Sequence, residues 1–421
     1  MKLYLDYKKL FNIIILVVLL TVPIAFSSAQ ETALDVQNKI NQKDSDIRKL
    51  EQEIAAYQAQ LDNLGQQKSS LSKSLKELDL TRKKLNADIA VTQNKIDKTN
   101  LKIQSLSSDI NNKENAIEND VDSIKLEIRN INEFEQNSIV ENILSDNDFT
   151  AIWNDIDNIV TVRERIRADI VKLKQIKSVL EETKKQTIDA KNELTRLRSQ
   201  LADQRTIVIQ NTNEKNKLLK QTKNNEANYQ KLLKDRLAKK DAFEKELHDY
   251  EMQLKYILDP TKLPGKGVLS WPLDSIFITS SYGLRNDGFH YGVDFRARTP
   301  LPVYAMADGV IAGVGNTDIE CAGVSFGRFI LIKYDNGLAS TFGHLSLIKV
   351  STGQRVRREE LVGYTGNTGY STGPHLHVSV YARDAVDLKT IPSKSCPGKI
   401  LTQPISPING YLNPVYYLPS L

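Results

Sequence analysis

Proline and glycine are nearly absent from the first 259 residues of this 421-residue chain. Pro23 and Gly65 alone fall there, whereas the other 12 of the 13 prolines and 19 of the 20 glycines lie from Pro260 onward. Because proline breaks helices and glycine favours turns, their absence excludes a turn-rich fold from the first part and permits very long helices. The composition therefore divides the chain near residue 260.

A dominant charge of one sign is also lacking. The chain has 57 Lys and Arg against 52 Asp and Glu, which gives a formal net charge of +5. In the helical part, basic residues alternate with acidic ones, and no concentrated basic face is present. This balance argues against nucleic-acid binding.

Long hydrophobic runs are scarce, and the clearest one stands at the N-terminus. Basic residues precede an apolar run at residues 10–22, and small residues follow at 27–29. This order predicts a signal peptide over residues 1–29, cleaved after Ala29, and therefore a periplasmic, extracellular or cell-wall-associated protein. An uncleaved membrane anchor stays open as the alternative, since residues 10–26 approach the roughly 17 residues that span a bilayer.

Cysteine is limited to Cys321 and Cys396, both in the turn-rich part. In an oxidising compartment such a pair often forms a disulfide, and closing a loop of this length contributes about 4 kcal/mol in the chain-entropy model. Two buried free thiols remain the alternative, because spacing does not prove pairing.

Apolar side chains recur every seven residues through the first helical part. Starting from Ile40, the repeat contains Ile47, Ile54, Leu61, Lys68, Leu75, Arg82, Ile89, Ile96, Ile103, Ile110, Ile117, Ile124 and Ile131. Heptads of this kind, separated by solvated polar residues, are typical of coiled coils. We predict one arm over residues 31–137, in which a continuous helix of about 100 residues would reach about 150 Å.

The repeat slips over residues 138–160, where cap and turn formers accompany Phe149 and Trp153. We predict a hairpin tip there, closed by these two aromatic side chains, which form either an apolar plug or a docking patch. A second arm over residues 161–257 follows and folds back antiparallel on the first, so that residues 30–257 form one coiled-coil domain. A parallel homodimer of one long rod is the alternative.

Residues 258–267 have the composition of a linker, and short β-rich runs bounded by turn residues follow. The predicted strands cover residues 277–281, 292–296, 303–307, 328–334, 340–346 and 376–381. Regular short strands with glycine turns favour a mainly antiparallel all-β domain. The predicted fold class is therefore multidomain, with a long α-helical antiparallel coiled coil followed by this all-β domain.

Four of the five histidines lie between His290 and His377. Because side chains alternate along a strand, His290 and Asp294 are expected on one side of a sheet, and His375 and His377 likewise. Hydrolytic Zn²⁺ sites use three such ligands and leave a fourth position for water, whose pKa falls towards about 7. Five candidate groups, including His344, therefore predict a metal site with histidines to spare for proton transfer.

Several longer motifs in this region resemble the M23 (LytM, lysostaphin-like) zinc endopeptidases. They are Ser-Ser-Tyr-Gly-Leu-Arg at 280–285, His-x-x-x-Asp at 290–294, Pro-Val-Tyr-Ala at 302–305, Ala-Asp-Gly-Val at 307–310, Gly-His-Leu-Ser at 343–346 and the glycine-rich segment at 363–377 that ends Pro-His-Leu-His. The resemblance covers about residues 268–385, with residues 386–421 as a C-terminal extension packed on the domain. With its signal and coiled coil, the whole chain resembles the murein hydrolase activator (EnvC-like) branch.

The resemblance implies a role for each matching position. His290, Asp294 and His377 match the family's zinc ligands, and His344 and His375 match its two catalytic histidines. One catalytic histidine would be the general base, and the other would hydrogen-bond the developing oxyanion, with the assignment open. The implied substrate is peptidoglycan, cut in its stem peptides or cross-bridges during wall remodelling or daughter-cell separation.

Two functions of different classes follow. The first is a zinc-dependent peptidoglycan endopeptidase, and the second is a non-catalytic coiled-coil scaffold that stimulates a cell-wall amidase. Because this chain has all five of the zinc-ligand and catalytic residues that the resemblance implies, the enzyme is favoured. By resemblance, an ABC-type division complex in the inner membrane is a further candidate partner. The second arm either covers the groove until a partner moves it or acts as a plain spacer.

Overall fold

The computed structural model of the chain describes residues 33–67, 69–135, 149–254, 256, 258–285, 288–371, 373–393 and 396–420. The expected signal peptide and residues 138–148 of the expected hairpin tip lie outside these residues. Across the described helices, none is long and apolar enough to cross a membrane. The chain forms two compact units, Met1–Lys43 with Lys98–Lys191, and Asp44–Asp97 with Asn192–Leu421.

Among the described residues, four long helices make up the N-terminal part. They are α1 (Ala33–Gly65), α2 (Leu71–Glu135), α3 (Phe149–Thr222) and α4 (Glu226–Gln253). Within the first unit, α2 and α3 run antiparallel, because Lys184 pairs with Glu114 at 3.0 Å and Lys172 pairs with Asp120 at 3.1 Å. Partner numbers rise along one helix as they fall along the other.

The same antiparallel pairing of α2 and α3 holds within the second unit. Ile96 packs against Leu197 and Leu201, and nearer the start of α2 the Lys215 ammonium lies 2.7 Å from the Asp79 carboxylate. Apolar heptad positions thus form the seam and charged positions flank it. The expected antiparallel coiled coil is confirmed.

The expectation of one continuous first arm is wrong. The helix ends at Gly65, and α1 folds back so that Leu61 and Leu64 pack on Leu80 of α2. Lys73 donates to the carbonyls of Gly65 and Gln67 at 3.3 and 2.8 Å, which satisfies groups at the helix end. A Cβ at position 65 would overlap the Arg298 guanidinium, so the flexible end of that side chain would have to move aside.

The second arm also differs from the expectation, because it is two helices. It begins earlier than residue 161, at Phe149, within the segment expected to form the tip. It then breaks after Thr222, where Lys223 and Asn224 adopt φ values of 51° and 53°. Asn225 starts the next helix by accepting hydrogen bonds from two backbone amides of its first turn. The side chains of Phe149 and Trp153 lie outside the described part, so the proposed plug stays a prediction.

Fifteen short strands form the C-terminal part among the described residues. Their bounds are β1 Ile278–Ser280, β2 Gly283–Arg285, β3 Gly288–His290, β4 Val293–Arg296, β5 Pro302–Tyr304, β6 Gly309–Asn316, β7 Arg328–Tyr334, β8 Leu338–Gly343, β9 Leu345–Ile348, β10 Arg355–Val356, β11 Leu361–Thr365, β12 His375–Ala382, β13 Asp387–Ser393, β14 Lys399–Ile405 and β15 Tyr411–Leu412. A short helix, α5 (Pro414–Tyr417), follows them. Every pairing described between these strands is antiparallel, which confirms the expected fold class.

The main sheet has the strand order β1-β4-β12-β8-β7-β6-β10, with β15 on the other half of β12. Its inner face carries fully buried side chains, among them Phe295, Ile330 and Val378. Alternation along β12 buries Leu376, Val378 and Val380 and turns the histidines to the other face, as expected. One strand thereby anchors the core and presents polar side chains.

The C-terminal extension completes this domain. Leu412 of β15 and Tyr417 of α5 belong to the main core, and β13 pairs with β14 in a hairpin. Cys396, between those two strands, is disulfide-bonded to Cys321 with a Cα–Cα distance of 6.2 Å. The bond ties the extension to the loop after β6, so of the two alternatives left open by the sequence the disulfide is the one present.

The β domain is also fixed to the helical hairpin within the second unit. Tyr364 of β11 packs against Leu85 and Ile207, one residue from each helix of the pair. Next to this cluster, the buried Asp203 carboxylate accepts from Lys349 at 2.7 Å and from the Tyr364 hydroxyl at 3.3 Å. This contact lies on β11, outside the main sheet.

Candidate metal centre

Three neighbouring strands of the main sheet bring together side chains that are far apart in sequence. In the register of β4, β12 and β8, His377 pairs with Asp294 on one side and with Gly343 on the other. His344 follows Gly343 directly, so it emerges beside the same strand. Asp294, His377 and His344 therefore meet because these strands are adjacent.

His290 reaches this cluster from a separate strand, which corrects the expectation that it shares a strand with Asp294. It ends β3, and the chain bends through Tyr291 and Gly292 before β4 begins. A Cβ on Gly292 would lie 2.4 Å from Cε1 of His377. Glycine is needed here because the His377 ring occupies the space of a side chain.

The resulting donor atoms form a compact triangle. His290 Nε2 lies 3.3 Å from Asp294 Oδ1 and 3.2 Å from His377 Nδ1, and His377 Nδ1 lies 2.9 Å from the same carboxylate oxygen. Donors bound tetrahedrally at about 2.0–2.2 Å from zinc would be roughly 3.3–3.6 Å apart. The observed separations lie close to or slightly below that range, so these residues fit a zinc ion.

Electrostatics favour deprotonated Asp294 and His377. Burial by itself raises the pKa of Asp294, but its close contacts with the His290 and His377 imidazoles outweigh burial and hold that pKa far below its usual range. Burial lowers the pKa of His377, and the Asp294 charge opposes this only in part. An ionised carboxylate beside a neutral His377 ring is the state in which such groups bind a cation.

Each of the three donor side chains is held from behind by a further contact. The Arg285 guanidinium donates to Asp294 Oδ2 at 3.0 Å. His290 Nδ1 lies 3.0 Å from the Ser281 carbonyl oxygen, and His377 Nε2 lies 2.9 Å from the Ser379 hydroxyl. The roles of Ser281, Arg285 and Ser379 were not predicted from the sequence, although Ser281 and Arg285 fall inside the Ser-Ser-Tyr-Gly-Leu-Arg motif at 280–285.

His344 is fixed in an unusual backbone conformation. Its φ is 60°, a region that few residues other than glycine adopt, although asparagine, aspartate and histidine do so more often than the rest. Its amide donates to the Phe326 carbonyl at 2.7 Å, and its Nδ1 lies 2.8 Å from the Thr368 carbonyl. Nδ1 must therefore carry the hydrogen, which leaves Nε2 as an acceptor. Burial lowers the pKa of His344, so it is neutral at pH 7.

His375 has the same tautomer by the same argument. Its Nδ1 lies 2.8 Å from the Gly373 carbonyl oxygen, so Nε2 is left as an acceptor. That Nε2 lies 3.7 Å from Asp294 Oδ1, and the ring centroids of His375 and His344 are 4.6 Å apart. The structure thus brings all five sequence-predicted residues into one cluster.

A cavity of about 610 Å³ opens over this cluster. The five predicted residues lie on one of its sides, and α4 forms another side with Lys240, Phe243, Leu247, His248 and Glu251. Steps of three and four residues place Lys240, Phe243, Leu247 and Glu251 on one face of the helix. The end of the second arm therefore forms part of the cavity wall.

Phe243 and Lys240 are the points at which α4 contacts the cavity rim. Phe243 is 1% exposed and packs against Val324, Leu401 and Cys321 of the disulfide. The Lys240 ammonium lies 4.3 Å from the centroid of the Tyr370 ring. Burial of one aromatic side chain on this scale contributes about 2–3 kcal/mol, which makes Phe243 the main apolar anchor of α4.

Glu251 buries a carboxyl group where α4 ends. It is 2% exposed, and its Oε1 accepts from the Tyr411 hydroxyl at 2.7 Å and from the Ser406 amide at 3.4 Å. Burial raises the pKa of Glu251 to about 7, although these two hydrogen bonds oppose the change. The nearby Tyr291 and Tyr411 stay neutral at this pH because burial raises their pKa values as well.

We expect the packing of α4 against the β domain to weaken as pH rises from about 4.5 to about 7. When α4 is packed on the β domain, Glu251 binds its proton more tightly than a solvent-exposed glutamate does. The packing of α4 is therefore most stable below the exposed pKa of about 4.5, and it is about 3 kcal/mol less stable when the pH reaches the buried pKa of about 7. Glu251→Gln keeps an oxygen for Tyr411 but cannot ionise. Its melting temperature should match that of wild type at pH 4 and exceed it by several degrees at pH 8. A difference that does not change with pH would contradict this expectation.

Comparisons with known proteins agree with this geometry. The profile of the family described as peptidase family M23 matches residues 288–388. The catalytic domain of lysostaphin from Staphylococcus simulans is 32% identical, with 81% of that chain and 26% of this one covered and a TM-score of 0.23. The chain therefore contains a peptidase M23 domain. The family is zinc-dependent, in agreement with the donor set.

Two curated relatives match the same M23 domain. Glycyl-glycine endopeptidase ALE-1 of Staphylococcus capitis is 41% identical over 92 residues, which are 22% of this chain and 24% of that protein. Peptidoglycan DD-endopeptidase ShyA of Vibrio cholerae is 37% identical over 94 residues, which are 22% of this chain and 20% of that protein. The chain thus spans about a quarter or less of these relatives.

Proposed function

We propose that this protein is a zinc-dependent endopeptidase that hydrolyses peptide bonds in peptidoglycan stem peptides or cross-bridges. The observation that carries the proposal is the triangle of His290, Asp294 and His377, with donor separations of 2.9–3.3 Å, beside two further histidines. Support also comes from the two relatives, which are named a glycyl-glycine endopeptidase and a peptidoglycan DD-endopeptidase.

In this proposal, His290, Asp294 and His377 hold the zinc ion. The ion would supply Lewis-acid chemistry, polarising the scissile carbonyl and making water a stronger acid. Arg285 keeps the Asp294 carboxylate oriented through its second oxygen, so the remaining oxygen faces the two imidazoles. The protein thereby presents a fixed donor set and needs little rearrangement to bind the ion.

His344 and His375 act on protons in the same proposal. Both rings donate Nδ1–H to a backbone carbonyl, and both leave Nε2 as an acceptor. One ring takes the proton of the attacking water, and the ring that carries a proton can hydrogen-bond the oxygen on which negative charge develops. Because their tautomers are the same, which ring has which role is still open.

We further propose that α4 keeps the cavity covered until a partner displaces it, and this favours the covering arm over the plain spacer. The support is that α4 lines the cavity with Phe243 and Glu251 while both side chains are almost fully buried. A peptide substrate needs the space beside the five site residues. The seated helix narrows that space, so the covered form should have low activity.

Digestion of purified peptidoglycan by the full chain, with and without chelator, tests the proposed activity. We expect soluble fragments to appear, to disappear with chelator, and to return when zinc is added back. His377→Ala should release none, and mass spectrometry of the products identifies the bond that is cut. If the chain alone releases nothing but increases release by a purified cell-wall amidase, the scaffold function is right and the peptidase proposal is wrong.

A further inference from the structure

A serine lies behind the metal centre in a place that packing alone does not explain. Ser379 follows His377 by two residues on β12, so both side chains project from the same face of the sheet. Ser379 is 1% exposed, and its hydroxyl oxygen lies 2.9 Å from His377 Nε2. Apolar residues of this strand face the opposite side, towards the core.

The two nitrogens of His377 have different partners. Nδ1 points to Asp294 Oδ1 and His290 Nε2, so it is the nitrogen of the donor triangle. To bind a cation, Nδ1 must be without hydrogen, and a neutral ring then carries its hydrogen on Nε2. The Ser379 hydroxyl oxygen is the acceptor for that N–H. This hydrogen bond selects the tautomer that the metal needs.

Ser379 belongs to a buried polar group on the sheet. Thr341 pairs with it across β8 and β12, and Tyr381 follows it by two residues on β12, so the three hydroxyl groups share one face. Whichever way its own hydrogen turns, the Ser379 oxygen keeps a lone pair that can accept the N–H of His377. A hydroxyl in a buried polar group of this kind is oriented by its neighbours.

We propose that Ser379 is a positioning residue that fixes the tautomer and orientation of His377 for zinc binding. The inference rests on the proposed function in that it takes zinc as the occupant. It makes Ser379 the counterpart of Arg285 behind Asp294 and of the Ser281 carbonyl behind His290. Partners of this kind behind a metal ligand typically contribute about 10- to 100-fold to metal affinity.

A matched pair of variants tests the role of the hydroxyl group. Ser379→Thr and Ser379→Val add the same bulk to the strand, but only the threonine keeps a hydroxyl. We expect Ser379→Val to weaken zinc binding by about 10- to 100-fold and Ser379→Thr to stay within about threefold of wild type. Zinc affinity of the full chain is measured by competition with a chromophoric chelator, without substrate. Nitrogen NMR of His377 should show the Nε2–H form in wild type and Ser379→Thr, and a mixture in Ser379→Val.

Ser340→Ala is the control for general loosening of the sheet. Ser340 is fully buried on β8 and bonds to the Tyr334 hydroxyl at 2.6 Å, on the core side. Its loss should lower the melting temperature and leave zinc affinity unchanged. Equal zinc affinity in Ser379→Val and Ser379→Thr overturns the proposal, as does wild-type protein that binds no zinc. Wild-type protein that binds zinc but cuts no peptidoglycan contradicts the peptidase proposal alone.

Discussion

Replacing His344 with asparagine is expected to slow peptide-bond cleavage by about 10²- to 10⁴-fold while leaving zinc affinity near that of wild type. The loss is large because the ring supplies an Nε2 acceptor beside the metal centre, and asparagine offers no group that titrates there. Asparagine is chosen because position 344 has a φ of 60°, which asparagine tolerates better than alanine. The rate is measured in single turnovers on a defined cross-linked muropeptide.

Two other histidine variants separate this effect from metal loss. His290→Ala removes a donor of the triangle, so both zinc affinity and cleavage should fall together. His248→Ala changes an exposed histidine on the α4 side of the cavity and should leave zinc affinity unchanged. If His344→Asn lowered zinc affinity as much as His290→Ala, His344 would be a ligand and its assignment as a proton-transfer residue would be wrong.

The site was predictable to the extent that its chemistry is concentrated in few residues. Histidine is scarce in this chain, and four of the five lie in one short region beside Asp294. Strand alternation then placed His375 and His377 on one face correctly, since β12 is a regular strand. The same reasoning failed for His290 and Asp294, because Gly292 allows a bend that alternation does not describe.

The groups behind the donors were harder to predict because their roles depend on register. Ser379 sits two residues after His377, which indicates a shared face, but serine is common and its partner atom is not evident from spacing. Arg285 reaches Asp294 only because β2 and β3 form a hairpin beside β4. Such contacts follow from tertiary structure, which one sequence without its fold does not provide.

In the helical part, the sequence predicted which segments pair but not where the helices end. Heptads predicted the antiparallel pairing of α2 and α3, since a long apolar seam must find a partner of equal length. They did not predict that helices end at Gly65 and Thr222, because a heptad pattern in the sequence can be extended through short polar segments that interrupt the helix. Phe243 in particular resembles any other apolar residue of the second arm, and its partner Leu401 is far away in the sequence.

Phe243→Glu is expected to raise the cleavage rate of the full chain by about 100-fold. Loss of a buried phenylalanine destabilises the packed position of α4 by about 3–5 kcal/mol. Each 1.4 kcal/mol changes the equilibrium between packed and displaced α4 about tenfold. The increase in cleavage rate is smaller if α4 is already displaced in a sizeable fraction of wild-type molecules, because the rate cannot rise beyond that of fully displaced protein. Hydrogen exchange across Glu226–Gln253 should become faster in the same variant.

Leu237→Glu is the matched control, since it places the same charge on α4 at a side chain that is 47% exposed. It should leave both cleavage rate and hydrogen exchange near the wild-type values. Zinc affinity should be equal in all three proteins, because Phe243 contacts the cavity rim and none of the donors. Faster exchange of α4 without faster cleavage would show that the helix leaves its seat but does not limit access, and α4 would then be a spacer.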